Sequence, residues 1–330
     1  MLFAYAASPE PGELLSGWIH AIARGQGTSI AALIDRPAGD LDWRPEESLL
    51  RLLAKGAETT VPQLRSIVAQ ACRAQPLAQY RLNPGRTKRW QICLHYAQLD
   101  HDRIGRTVLR ARDNSVFAAA CPDHACLLSE VGEEFLPRRR PTNVEVERHA
   151  FPVPDLVLQF QSVMMGLSNR APGHFLVSEP EMVRRVGLDL ALVLVSDRGF
   201  FWSLSDWVSR ERLRRSTACS LAADLEALST LGATMRSHAL VAAALLLCRP
   251  SAELTATMRV WEAGLYGAST RNLTRTMASP WSVAINEMTP FQLRMLDCMR
   301  RQWPPPLNDM VIAHLSRRVH MHGQLYVERP

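Results

Sequence analysis

Cys93-Leu94-His95-Tyr96-Ala97-Gln98-Leu99-Asp100, answered by Cys121-Pro122-Asp123-His124-Ala125-Cys126-Leu127-Leu128, is the pair of segments on which the reading of this chain turns. Two thiolates and an imidazole on a pair of tight loops are the donor set of a tetrahedral zinc site, because a borderline cation prefers sulfur and nitrogen at short, fixed distance. Cys121 and His124 have the Cys-x-x-His spacing of a ligand pair, but the first loop departs from it. Where a Cys-x-x-Cys pair would place its second sulfur stands Tyr96, a poor zinc ligand. Two readings stay open. In one, a structural Zn is held by Cys93, Cys121 and His124, with Cys126, His95 or His101 as fourth ligand. In the other the metal is lost, the cysteines are buried thiols and the Tyr96 ring fills the space.

Upstream of this element the apolar pattern is helical. Leu14, Leu15, Trp18, Ile19 and Ile22 form a stripe that ends at Gly25-Gln26-Gly27, and Thr28 is placed to cap a short helix through Ile34. Asp42-Trp43-Arg44-Pro45 opens a third helix over Leu49 to Gly56, and Thr60-Val61-Pro62 opens a fourth with a cap threonine and a first-turn proline. Short helices on tight turns make either a helix-turn-helix-like module or a generic bundle. Between the two cysteine segments, Val116-Phe117-Ala118 is short enough for a strand of a zinc ribbon.

Downstream, 136–153 is rich in charge and proline and reads as a linker. Helical patterns follow at Pro154 to Met165, Glu179 to Val186, Leu204 to Ser216, Leu221 to Leu231, Ser237 to Leu247, Ala252 to Tyr266 and Thr289 to Gln302; Pro304-Pro305-Pro306 reads as punctuation. The expected fold is therefore mainly α. A helical, helix-turn-helix-like module (9–75) carries a zinc-ribbon-like insert (90–130) within an N-terminal region 1–135, and a C-terminal helical domain occupies 154–330.

The longest apolar run, Leu240 to Cys248, falls short of the roughly 20 residues of a membrane helix and reads as a buried helix. No secretory pattern opens the chain, and seven cysteines in no regular framework point to a reducing, cytoplasmic setting. The net charge is +6, with Lys55 and Lys88 as the only lysines, so the basicity is arginine. Arginine suits bidentate phosphate contacts, and it is also what a GC-rich genome encodes. Candidate nucleic-acid or partner contacts are Arg86, Lys88 and Arg89, with Trp90 beside them, then Arg138, Arg139 and Arg140, then Arg212, Arg214 and Arg215.

Three segments in this order resemble a known family. They are Pro11-Gly12-Glu13-Leu14-Leu15-Ser16-Gly17-Trp18-Ile19 with Gly25-Gln26-Gly27; Leu41-Asp42-Trp43-Arg44-Pro45 with Val61-Pro62-Gln63-Leu64-Arg65; and the cysteine element. Together they resemble the TniQ/TnsD family of target-selection proteins in bacterial DNA transposition. That family carries Cys-Pro-x-Cys-Leu-x-x-Asp, an aromatic-Arg-x-x-Trp segment and Cys-Pro-x-His-Gly-x-x-Leu. Cys93, Asp100, Cys121, Pro122, His124 and Leu128 fall on this frame, whereas Tyr96 replaces a thiolate, Ala125 the glycine and Leu109 the tryptophan.

The resemblance implies a non-enzymatic adaptor that links target DNA, or a guide-RNA (CRISPR) effector ribonucleoprotein, to the transposition machinery, typically an AAA+ ATPase regulator. It also implies a homodimer, and the shortness of the apolar run from Leu240 to Cys248 leads us to expect no membrane partner. The residues themselves leave two other classes open, a helix-turn-helix transcriptional regulator and a metal-dependent hydrolase. The hydrolase lacks support from any helical His-x-x-x-His pair, nucleophile elbow or phosphate-binding glycine loop.

Overall fold

The N-terminal helices form where apolar residues recur at helical spacing and a cap is at hand. α1 (Leu15–Gly25) buries Leu15, Trp18, Ile19 and Ile22 on one face. α2 (Ile30–Ile34) is capped by Ser29, whose Oγ accepts from the Ala32 amide at 3.2 Å, rather than by the expected Thr28. α3 (Glu47–Gly56) and α4 (Val61–Ala74) pack on each other. α4 opens on a reciprocal capping box between Thr60 and Gln63, with Pro62 in the first turn where no amide is missed. Leu15, Trp18, Ile22, Leu49, Leu53, Leu64 and Ile67 close a shared apolar core from α1, α3 and α4.

The computed structural model describes residues 8–34, 41–82, 89–132, 140–149, 153–195, 228–229, 233–249, 251, 281, 284–285 and 288–322. Over these the chain is mainly helical. It divides into two units: Met1–Val153 with Met165–Leu167 and Gly232–Thr234, and Pro154–Met164 with Ser168–Leu231 and Met235–Pro330.

In the first unit the cysteine element follows α4. β1 (Arg89–Ile92) runs into α5 (Leu94–Ile104), so Cys93 sits at a helix N-cap and not on the tight loop expected of it. α5 stops at Gly105, whose φ of 73° and amide bond to His101 O make a left-handed helix end. β2 (Ala120–Cys121) and β3 (Cys126–Leu127) form a two-residue antiparallel ribbon with Cys121 opposite Cys126. β4 (Ser129–Gly132) returns to pair with β1, Trp90 opposite Val131 and Gln91 opposite Glu130. Val116-Phe117 is a turn, not the expected strand.

The stretch read as a linker contains α6 (Asn143–His149). Thr142 and Glu145 exchange cap bonds at its start, and Val146 is buried with Trp90, Leu94 and Ala97. Residues 140–149 therefore belong to the packing of the first unit.

The second unit contains α7 (Asp155–Met164), α8 (Pro180–Val195), α9 (Ala233–Leu247) from Met235 onward, α10 (Pro290–Arg300) and α11 (Pro305–His322). α8 packs against both α7 and α10. Gln292 reaches from α10 to the carbonyls of Val193 (3.0 Å) and Leu194 (3.2 Å) and so satisfies the open end of α8. The apolar run from Leu240 is buried in α9, as its composition suggests. α8 runs on past Val186, and α11 begins at the prolines read as a stop, because proline in a first turn costs the helix no bond. The helices expected over 204–216, 221–231 and 252–266 lie, apart from Leu228 and Ser229, outside the described residues. No helix among the described residues is long and apolar enough to cross a membrane.

Candidate metal centre

The centre is assembled from two backbone devices. The end of β1 delivers Cys93 to the N-cap of α5, and the β2–β3 ribbon delivers Cys121 and His124 across its turn. That turn needs a left-handed residue, and Ala125 takes it with φ 45°. The Ala125 carbonyl is in turn held by the Val153 amide at 2.7 Å.

The donor atoms of Cys93, Cys121 and His124 all lie within 4.8 Å of one another, so this group can hold a metal ion. The separations fit one ion. Two thiolates on a tetrahedral Zn stand about 3.8 Å apart, and a thiolate and an imidazole nitrogen about 3.6 Å apart. His124 Nδ1 is 3.4 Å from Cys93 Sγ and 3.5 Å from Cys121 Sγ. Cys126 Sγ lies outside the three-donor group but 3.8 Å from Cys93 Sγ. All three cysteines are buried and none is in a disulfide.

Crowded sulfurs resist ionisation. The neighbouring Cys121 sulfur draws the Cys93 thiol down, but the bond shared with Cys126 and burial outweigh it and push the thiol up to about 12. The bond with Cys93, then burial, likewise raise the Cys121 thiol. Metal uptake must therefore displace thiol protons, which makes affinity rise with pH.

Tyr96, at the place of the missing thiolate, is engaged elsewhere. Its ring meets His124 edge-on at 4.5 Å and lies under the guanidinium groups of Arg110 (4.0 Å) and Arg112 (5.0 Å). Its hydroxyl donates to Asp123 Oδ2 at 2.7 Å, and Arg112 meets the same oxygen at 2.5 Å. Burial works against the Asp123 charge, but the Tyr96 hydroxyl and Arg112 hold its carboxyl below the ordinary value. His95 stacks on His124, ring centroids 4.9 Å apart and planes 18° from parallel.

Buried polar pairs brace the unit, within the cysteine element and between it and the N-terminal segment. Arg106 forms a two-pronged pair with Glu13, one contact at 2.8 Å, with both side chains inaccessible. Asp100 takes both Arg110 nitrogens at 2.8 Å and the Val108 amide at 3.1 Å. Ser16 gives its amide (2.7 Å) and hydroxyl (2.8 Å) to Asp42. Asn114 donates to the Gln91 and Arg110 carbonyls and accepts from the Gln91 amide, acting as a short substitute for a strand beside β1.

The roles of Arg110, Arg112, Asp123, Asn114 and the Glu13–Arg106 pair carry no local signal in the sequence. Only the aspartate at 100, on the family frame, hinted at them. Of the expected contact residues, Trp90 is not exposed: it is wholly buried in the core with Leu94, Ala97, Val131 and Val146, edge-on to His20 at 4.9 Å, and within β1 only Arg89 faces outward. Arg89 is exposed and paired with Glu130 at 3.3 Å, and Arg140 is paired with Asp102 at 2.6 Å. Arg86, Lys88, Arg138, Arg139, Arg212, Arg214 and Arg215 lie outside the described residues. No family model, curated protein or solved structure matches the chain.

Proposed function

We propose that this chain is a non-enzymatic, cytoplasmic adaptor for target-site selection in DNA transposition, and that Cys93, Cys121 and His124 hold a structural zinc within it. One observation carries the reading. The three sequence segments that resemble the TniQ/TnsD family are tied to one another by buried polar pairs, Glu13 to Arg106 and Ser16 to Asp42, and the third of them carries a group of metal-ligand geometry. Such ties keep separated motifs in fixed relation, which a recruiting surface needs and a collection of unrelated matches has no reason to have.

In this role the metal would fix the β2–β3 ribbon to the start of α5, beside the element's apolar core of Trp90, Ile92, Leu109 and Val131. The arginines would supply phosphate contacts to target DNA or to a guide-RNA complex. The transposition ATPase would be engaged through another surface, by a homodimer. The test is binding of the purified chain to duplex DNA and to a guide-RNA effector complex across a salt series. Affinity for one of them that falls steeply with salt is the expected result. Failure to bind either at low salt overturns the proposal, and footprinting of a single operator without any partner would point to a transcriptional regulator instead.

A further inference from the structure

The lost thiolate at Tyr96 leaves the metal group one donor short; of the three candidates for the place, His101 is set among Asp100, Asp102 and Arg140, whereas two touch the group itself, His95 through His124 and Cys126 through Cys93. Their geometries differ. A ligating imidazole holds its metal in the plane of its own ring, along the nitrogen lone pair. His124 presents Nδ1 to both Cys93 and Cys121, so an ion held there would lie in the His124 plane. The His95 ring is nearly parallel to that plane and displaced from it, with centroids 4.9 Å apart. Its lone pairs therefore run alongside the ion and do not converge on it.

Cys126 meets the requirement from two sides. In the β2–β3 ribbon it is the register partner of Cys121, and directly opposed residues of an antiparallel pair project from the same face. Its sulfur also stands 3.8 Å from Cys93 Sγ, close to the separation of about 3.8 Å that two thiolates adopt on one tetrahedral Zn. It is buried and free of any disulfide.

Resting on the metal reading above, we propose that Cys126 is the fourth ligand, so that the centre is Cys93, Cys121, His124 and Cys126, with a third thiolate supplied from the second segment in place of one from the first. Cys126 lies outside the three-donor group before binding, so the ion draws its sulfur inward. Each of the three thiols gives its proton to solvent as it becomes a ligand. The exchange explains how Tyr96 can sit in the Arg110–Arg112–Asp123 network without depriving the centre of a closed coordination shell.

Cobalt(II) titration of the reduced full chain separates the possibilities, because the thiolate-to-cobalt charge-transfer band grows with each sulfur bound. Zinc competition then gives the affinity. Cys126→Ser is expected to lose about one third of the band, one thiolate in three, and to weaken affinity by more than about tenfold. Cys126→His, which restores a donor, should regain the affinity but not the band, and this guards against a serine variant that simply misfolds. His95→Ala should change neither. A full band in Cys126→Ser, or loss of affinity in His95→Ala, overturns the Cys126 assignment while leaving a metal centre in place. A wild-type chain that takes up no cobalt overturns the metal reading itself, and Cys126 with it.

Discussion

The α1–α4 module and the cysteine element lie in one unit, yet they are held together by different forces. The module closes on aliphatic and tryptophan side chains, with Leu53, Leu64, Ile19 and Ile22 wholly buried and the Ser16–Asp42 pair enclosed beside them. The cysteine element has two two-stranded ribbons and one helix, and it buries Gln91, Asp100, Arg106, Thr107, Asp113, Asn114 and Ser115 within some forty residues. Apolar burial stabilises without regard to direction, whereas a buried ion pair or ligand group stabilises only in one geometry. The module should thus tolerate volume-conserving changes, while the element should fail sharply when one partner is removed.

The largest break in that contrast is expected at Arg106. In Arg106→Met the Glu13 carboxylate is left buried without its partner. Such removals cost about 3–5 kcal/mol, read here as a fall in the denaturant midpoint. Burial already raises the Glu13 carboxyl against the pull of Arg106, so a second change, Glu13→Gln, should recover much of the loss. The exposed Arg103–Glu10 pair, from neighbouring residues on the same two segments, is the control: Arg103→Met should leave the midpoint nearly unchanged.

Asp113 sharpens the contrast through pH. Burial raises its carboxyl to about 6 against the opposing attraction of Arg112 and Arg110, above an ordinary value of 3.8. A carboxyl raised in the folded state contributes stability that is full below the unfolded value and is lost as pH rises through the folded one. The window is therefore about pH 4 to 6, and the loss above it is about 3 kcal/mol. Asp113→Asn should gain stability over the wild type at pH 8 and lose that advantage near pH 4. Equal pH profiles for the two proteins would show that Asp113 is not desolvated as described.

These two residues also mark where the sequence stops being readable. Trp18, Leu49, Leu53 and Leu64 announce their helices because a repeating stripe is a local pattern, and Thr60 with Gln63 announces its cap for the same reason. Cys93, Cys121 and His124 are legible as a group that could hold a metal because their chemistry is rare and, for the last two, their spacing short. Glu13 and Arg106 are 93 positions apart, and nothing local distinguishes a buried arginine from the many exposed ones. β1 and β4 are likewise separated by the whole element they enclose, and strands of four residues are too short to show an alternation. Trp90 misleads because adjacent strand residues face opposite ways, so a charged neighbour says nothing about its own exposure.

At the seam between the two regions, Gly17 of α1 lies against Leu109. A Cβ there would come within 2.8 Å of Leu109 Cβ, an atom close to a backbone whose carbonyl already accepts the Leu14 amide at 2.7 Å. Alanine improves helix propensity by about 1 kcal/mol, but overpacking a rigid contact costs about 1–3 kcal/mol. Gly17→Ala should therefore lower the midpoint modestly. A raised midpoint would mean that α1 and the cysteine element slide on each other, and that the seam is softer than the Glu13–Arg106 pair implies.

The smallest effect is also a gain. Ala125 carries φ 45° at the turn that presents His124, a conformation that costs a residue with a Cβ about 1–2 kcal/mol and costs glycine almost nothing sterically. Glycine also loses more freedom on folding, so Ala125→Gly should stabilise the turn by about 1 kcal/mol or less. Its value lies in where the gain is felt. If the turn is strained while waiting for metal, hydrogen exchange should slow at the amides of the β2–β3 ribbon and stay unchanged in α1–α4. A gain spread evenly over both regions would instead mean that the ribbon unfolds only with the whole unit, and the division between a self-sufficient module and a dependent element would fall.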